Sequence, residues 1–220
     1  MQAALDLTQV PPERQYAALA QALEALPAEG EIAVLTQGGP QPLVRRLIAE
    51  HWGRFDWTPV AEEGGRWRSV LRRRAAAPAS LAEFLAADHG RCDTLYAGLE
   101  SAAQSGEDAR APFQRFETAM RRHFAMEEEG WFPQFDRIMG MENQGPTAVM
   151  RAEHAQMRGL LDRMALAAAE GDPESLLSAG ETLLIFMQQH NMKEEQMLYP
   201  MADEAFGAEI EGLLKQLALY

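Results

Sequence analysis

With 220 residues, 47% hydrophobic and 24% charged, the chain can bury one large core or two small ones, and its composition excludes disorder, collagen-like repeats and a disulfide scaffold. The formal charge of −13 is uneven: residues 1–75 carry 9 basic and 9 acidic residues, whereas 76–220 carry 11 basic and 24 acidic. Such a surface repels phosphate backbones and anionic lipid, so neither nucleic acid nor a membrane is an expected partner.

The first residues, MQAALDLTQVPPERQ, show no basic or apolar stretch of a secretory signal. Apolar runs such as Leu183 to Met187 are far shorter than the roughly 20 residues a bilayer demands. Cys92 is the only cysteine, which fits a reducing compartment, and a cytoplasmic protein is expected.

Residues 1–74 alternate short strands and helices. A strand is predicted at about Ala3 to Leu7, a helix from Pro11-Pro12-Glu13 to about Leu26, a strand at Glu31 to Thr36 and a helix from about Pro42 to His51. Trp57 to Ala61 and Arg66 to Leu71 then flank Glu62-Glu63-Gly64-Gly65, a hairpin turn by its Gly-Gly pair. The order β-α-β-α-β-β predicts a small α/β two-layer sandwich with its helices on one face of the sheet.

Residues 75–80 (AAAPAS) read as a linker, and beyond them helical periodicity takes over. Helices are expected at about 80–104, 108–129, 146–170 and 174–195, with shorter pieces at about 198–206 and 208–218. Gly130, Pro133, Gly140 and Gly145 place a break at 130–145. Four long helices with short loops predict an all-α up-and-down four-helix bundle over 81–220.

This second part repeats itself. His123-Phe-Ala-Met-Glu127-Glu128-Glu-Gly-Trp-Phe132-Pro133 aligns with His190-Asn-Met-Lys-Glu194-Glu195-Gln-Met-Leu-Tyr199-Pro200 at an offset of 67. Asp88-His89-Gly-Arg-Cys92-Asp-Thr-Leu95 aligns with Glu153-His154-Ala-Gln-Met157-Arg-Gly-Leu160 at an offset of 65. Each half is an αα-hairpin with a lone histidine on its first helix and H-x-x-x-E on its second. Counting residues at ~1.5 Å each puts His89 and His123 both ~22 Å from the loop that joins their helices, and His154 and His190 behave alike about the next loop. All four histidines can share one layer.

The i, i+4 spacing sets imidazole and carboxylate on one helix face. Four imidazoles and two carboxylates make an inventory for two metal ions, because burying four unpaired imidazoles in one layer is costly. If Glu127 and Glu194 each bridge, every ion receives two histidine nitrogens and two carboxylate oxygens, with positions open for a bridging oxo or hydroxo group and an exogenous ligand. This mixed, open set suits iron, with manganese or zinc also possible.

Phe116, Met120, Leu183, Phe186 and Met187, one and two turns before the histidines, read as core that can also wall a dry, narrow pocket. Cys92 is either a packed thiol or a neighbour of the site. Tyr199 could donate to a bridging carboxylate, although the repeat has Phe132 in its place. Glu128 and Glu195, rotated about 100° from the ligands, are expected to face solvent or bond a histidine, with Glu128 as ligand only if the helix is distorted. His51 belongs to neither copy of the repeat.

On these motifs, residues of about 80–205 resemble the hemerythrin-like HHE cation-binding family, a four-helix bundle around a non-haem di-iron centre. The resemblance carries over to His89, His123 with Glu127, His154, and His190 with Glu194. Oxygen-carrying hemerythrins use five histidines with one Glu and one Asp; the four-His, two-Glu set here is closer to the repair-of-iron-centres branch, linked to nitric oxide and oxidative stress. That branch has paired cysteines in an N-terminal segment, and residues 1–75 have none. The resemblance implies a protein that binds or reacts with O2, NO or peroxide in sensing or stress protection. Iron storage or donation, or a di-iron oxidoreductase acting on peroxide or nitric oxide, are the alternatives. Residues 1–74 resemble a small α/β domain found before hemerythrin-like domains, related in fold to sulfur carriers of the SirA/TusA type. Without a cysteine this domain cannot carry a persulfide, and it is read as a module for docking a protein partner or for regulation.

Overall fold

A computed structural model describes residues 4–63, 65–142 and 144–220, with their side chains except those of 59–63. The chain forms two compact units, 1–78 and 79–218.

In the first unit β1 (Ala4–Asp6), α1 (Pro12–Ala25), β2 (Glu31–Gln37), α2 (Gln41–His51), β3 (Phe55–Glu63) and β4 (Arg66–Arg73) follow in the expected order. The four strands make one sheet in the order β1-β2-β4-β3, with β1 parallel to β2 and the other pairs antiparallel. In β4 Ser69 and Leu71 are buried, Val70 between them is half-buried and Arg68 and Arg72 on either side are exposed, so one face is covered and the other is wet. α1 buries Tyr16, Leu19 and Leu23, and α2 buries Val44, Leu47 and Ile48. Pro59 sits on the edge strand β3, beside a register shift at Pro59/Ala61, where its missing N–H breaks no inner ladder. Glu63 pairs with Arg66 in the register of β3 and β4, and Gly65 has φ +76°. Gly64 of the predicted turn and Ala3 of the predicted first strand lie outside the described residues.

The second unit is helical: α3 (Leu81–Ser105), α4 (Arg110–Ala125), α5 (Phe132–Met139), α6 (Gly145–Glu170), α7 (Pro173–Lys193), α8 (Tyr199–Phe206) and α9 (Ile210–Leu217). Ser80 opens α3 by accepting from the Glu83 N–H at 3.0 Å, and Gly106 ends it at φ 74°. Asp172 caps α7 in the same way, with Pro173 in its first turn. α3 packs on α4 and α7, and α6 packs on α4 and α7, a closed ring of four consistent with the expected bundle. Its core, away from the histidines, holds Tyr96, Leu99, Phe113, Phe116, Leu161, Met164 and Leu183.

Gly180 lets α7 approach Tyr96 closely, since a Cβ there would lie 2.8 Å from the Tyr96 Oη and 3.1 Å from its ring. Gly180→Ala is therefore expected to destabilise by up to about 2 kcal/mol, overpacking outweighing the better helix propensity of alanine. Urea denaturation of the metal-free protein checks this, and a stabilised variant would show that Tyr96 moves aside freely.

The helices carrying H-x-x-x-E do not stop at the expected ends near 129 and 195. Met126–Trp131 and Glu194–Leu198 form π-helical turns, and the chain continues through them into α5 and α8. A proline ring inside a helix displaces the preceding carbonyls, and a wider i→i+5 turn just before it accommodates the displacement. Trp131, Phe132, Phe135, Leu198 and Tyr199 are buried by the continuation. Asp203 on α8 accepts from the backbone N–H of Leu81 at 2.6 Å and of Ala82 at 3.2 Å, tying α8 to the open start of α3.

Candidate metal centre

α3, α4, α6 and α7 each bring one histidine inward, and His89, His123, His154 and His190 are all buried. Glu127 and Glu194, the second and the first residue of their π turns, are fully buried beside them. Two groups of potential ligand atoms result: Glu127, His154, His190 and Glu194 form one, and His89, His123 and Glu194 form the other. All six residues singled out in the sequence thus come together. His51 takes part in neither group; it stands at the end of α2 with Glu24 at 3.7 Å.

The histidine nitrogens meet in pairs, with 3.2 Å between Nε2 of His89 and His123 and 3.0 Å between Nε2 of His154 and His190. Glu194 lies between the pairs, its Oε2 3.3 Å from His89 Nε2 and its Oε1 3.1 Å from His190 Nε2. Glu127 Oε2 is 3.5 Å from His123 Nε2 and 3.1 Å from His154 Nε2.

Every one of the four rings is oriented from behind by a carboxylate. Nδ1 of His89 donates to Glu195 at 2.7 Å, Nδ1 of His123 to Asp88 at 3.0 Å, Nδ1 of His154 to Glu128 at 2.8 Å and Nδ1 of His190 to Glu153 at 2.9 Å. Asp88 and Glu153 act within their own hairpin, whereas Glu128 and Glu195 reach across to the other. Glu128 is therefore the histidine partner and Glu127 the inward group, even though the helix is distorted at this point. Asp88 is paired in turn with Arg91 and Arg122, Glu153 with Lys193, and Glu128 with Arg158 through two bonds of 3.0 and 2.8 Å. At the repeat position of Arg158 stands Asp93, an acid whose carboxyl pKa is pushed up by burial and by the charge of Glu195. Asp88 and Glu153 were visible in the repeat as the residues before each lone histidine; the [DE]-H pairing was the signal.

These contacts decide whether a cation fits. A neutral imidazole whose Nδ1–H binds a carboxylate presents only a lone pair at Nε2. Two such lone pairs at about 3 Å repel unless a positive charge lies between them. Glu127 Oε2 and Glu194 Oε1 are buried and accept no hydrogen bond, a costly state that a cation relieves. Two atoms ligating one ion at ~2.0–2.2 Å lie about 2.8–3.6 Å apart, the range of every spacing given above. The donor set fits a metal, and the carboxylates behind the histidines are the partners that metal-binding imidazoles take.

Without a metal, protons take part of that role. Burial works against a charge on His154, but Glu127 and Glu128 outweigh it and push its pKa up to about 9. Burial pushes His123 down to about 3. The burial cost at Glu194 is overcome by His190 and His89, which hold its carboxyl well below the usual range. A metal needs His154 neutral, so its uptake below pH about 9 displaces a proton. Affinity for a divalent ion should rise with pH and level off near pH 9. Calorimetric titrations from about pH 6 to 9 check this, and a pH-independent Kd would show that His154 does not ligate.

Beside the histidines is a cavity of about 10 Å³, room for about one water-sized molecule, walled by Cys92, Met120, Phe124, Met157 and Met187. Cys92 and Met157 are repeat equivalents, as are Met120 and Met187. Burial pushes the Cys92 thiol up to about 11, so it stays a neutral wall group. Phe116 and Leu183 are buried in the core one turn further on, whereas Phe186 is exposed, because Met187 takes the inward position on α7.

Residues 80–202, more than half of the chain, match the sequence model of the hemerythrin HHE cation binding domain. The chain belongs to this family. Neither the curated proteins nor the solved structures contain a match to it. The HHE match spans both H-x-x-x-E motifs and both lone histidines, and cation binding fits the two buried ligand groups. Among the described residues no helix is long and apolar enough to cross a membrane.

Proposed function

We propose that the HHE domain holds two non-haem iron ions, with His89, His123, His154, His190, Glu127 and Glu194 as protein ligands, and that it binds or reacts with O2, NO or peroxide in sensing or in protection against oxidative and nitrosative stress. The observation that carries this reading is the pair of abutting histidine couples with Glu194 between them, next to a cavity that admits one small molecule. Bound iron would supply reversible electron exchange with the small ligand. The chain supplies the rest: Asp88, Glu128, Glu153 and Glu195 hold the imidazoles in register, and Phe124 and the three methionines keep bulk water out.

The four-His, two-Glu set supports a place near the repair-of-iron-centres branch. The β-α-β-α-β-β order of residues 1–74 supports kinship with the SirA/TusA fold, and we assign that domain to docking of a protein partner, in a cytoplasmic setting. The excess of acid in 76–220, 24 residues against 11 basic, favours a second reading, iron storage or donation, since it gathers cations. Elemental analysis of protein from iron-supplemented cells, followed by anaerobic reduction and exposure to O2, NO and peroxide under optical absorption, tests both. Iron that responds to one of these ligands supports the first reading, and iron lost rapidly to chelators supports the second. A single zinc, or no metal in a folded protein, would overturn both.

A further inference from the structure

The two ligand groups are unequal, with four residues in one and three, His89, His123 and Glu194, in the other. Tyr199 stands next to the smaller group. In an α-helix a residue five after Glu194 lies about 140° away around the axis, but the π turn closes in five residues and brings Tyr199 over Glu194. Its ring is fully buried. Its Oη is 2.8 Å from Glu127 Oε1, 2.8 Å from Glu194 Oε2 and 3.2 Å from His89 Nε2.

A phenol has one proton, and it faces two carboxylate oxygens that accept, Glu127 Oε1 and Glu194 Oε2. At least one of these contacts therefore sets lone pair against lone pair in a buried space, which a cation touching Oη resolves. All three spacings also lie in the range of about 2.8–3.6 Å for atoms that share one ion. The other half of the repeat has no counterpart oxygen: Phe132 takes the position and stacks on His154, 6.1 Å between centroids and 7° between planes.

We propose that Tyr199 Oη is the fourth protein ligand of the ion held by His89, His123 and Glu194, so that one metal position carries a phenolate and its neighbour does not. Ligation forms one oxygen–metal bond and releases the phenol proton to solvent. This rests on the two-metal reading above, and its test separates the two. Full-length wild-type protein and Tyr199→Phe are loaded with a ferrous salt and oxidised in air, then compared by iron content, visible absorption and resonance Raman spectra. Wild-type protein is expected to show a phenolate-to-iron(III) charge-transfer band with enhanced tyrosinate ring modes, both lost in Tyr199→Phe. Iron-loaded wild-type protein without tyrosinate modes overturns the assignment and leaves the metal site standing, with Tyr199 as a hydrogen-bond donor only. Tyrosinate modes that persist in Tyr199→Phe overturn it as well. Wild-type protein that takes up no iron overturns both readings.

Discussion

Replacing Glu194 by alanine is expected to abolish metal binding at both positions while the helices remain. Its two oxygens face different histidine couples, Oε2 at 3.3 Å from His89 and Oε1 at 3.1 Å from His190, so on the proposed two-metal reading one truncation takes a donor atom from each position. Removing a partner that merely orients a ligand costs about 10–100-fold in affinity, and loss of a shared ligand should exceed that. The fold has less to lose, because the long helices are held by the apolar core around Phe116, Leu161 and Leu183. Metal content by elemental analysis and helicity by circular dichroism check the two halves of the expectation. A variant that keeps its metal and loses helicity would refute it.

Asp88→Ala is expected to cost about 3–5 kcal/mol of stability in the metal-free protein, the range for breaking a buried ion pair from one side. Asp88 is buried and serves the His123 ring together with the guanidinium groups of Arg91 and Arg122. Alanine takes the one carboxylate from all three. The same change should weaken metal binding about 10–100-fold, because His123 loses its orienting partner. Glu211→Ala, which removes an exposed i, i+4 partner of Lys215, should stay within about 0.5 kcal/mol. Urea denaturation of both variants decides; equal effects would mean that the Asp88 cluster is solvated and contributes little.

The cluster of four histidines and two glutamates was legible because H-x-x-x-E needs only the regular period of one helix, and because the motif occurs twice. The small sheet was legible too, since Glu31 to Thr36 is a short apolar run rich in β-branched residues and Arg66 to Leu71 follows a Gly-Gly turn signal. What escaped depends on departures from regularity or on contacts between distant segments. The helices carrying the motif were expected to end near 129 and 195, yet burial of Trp131, Phe132 and Tyr199 carries the chain on. Tyr199 was expected to be able to reach a bridging carboxylate, but its closeness to both carboxylates and to His89 depends on the π turn. Glu128 and Glu195 were expected to face solvent or to bond a histidine, and which histidine each reaches is a matter of how two hairpins face each other. The bond from Asp203 to the start of α3 spans more than a hundred residues, with no motif to announce it.

The crossing of Glu128 to His154 and of Glu195 to His89 gives the centre a mechanical meaning. Each hairpin orients a histidine of the other, so neither holds a finished set alone. A bound ion would act as a clasp: pulling the hairpins apart would first have to expel it, and the free energy of binding would then resist separation of the halves directly. Loss of metal would loosen the seam between the hairpins before it loosens either hairpin, and amide exchange should rise first along the faces where α3 meets α7 and α4 meets α6.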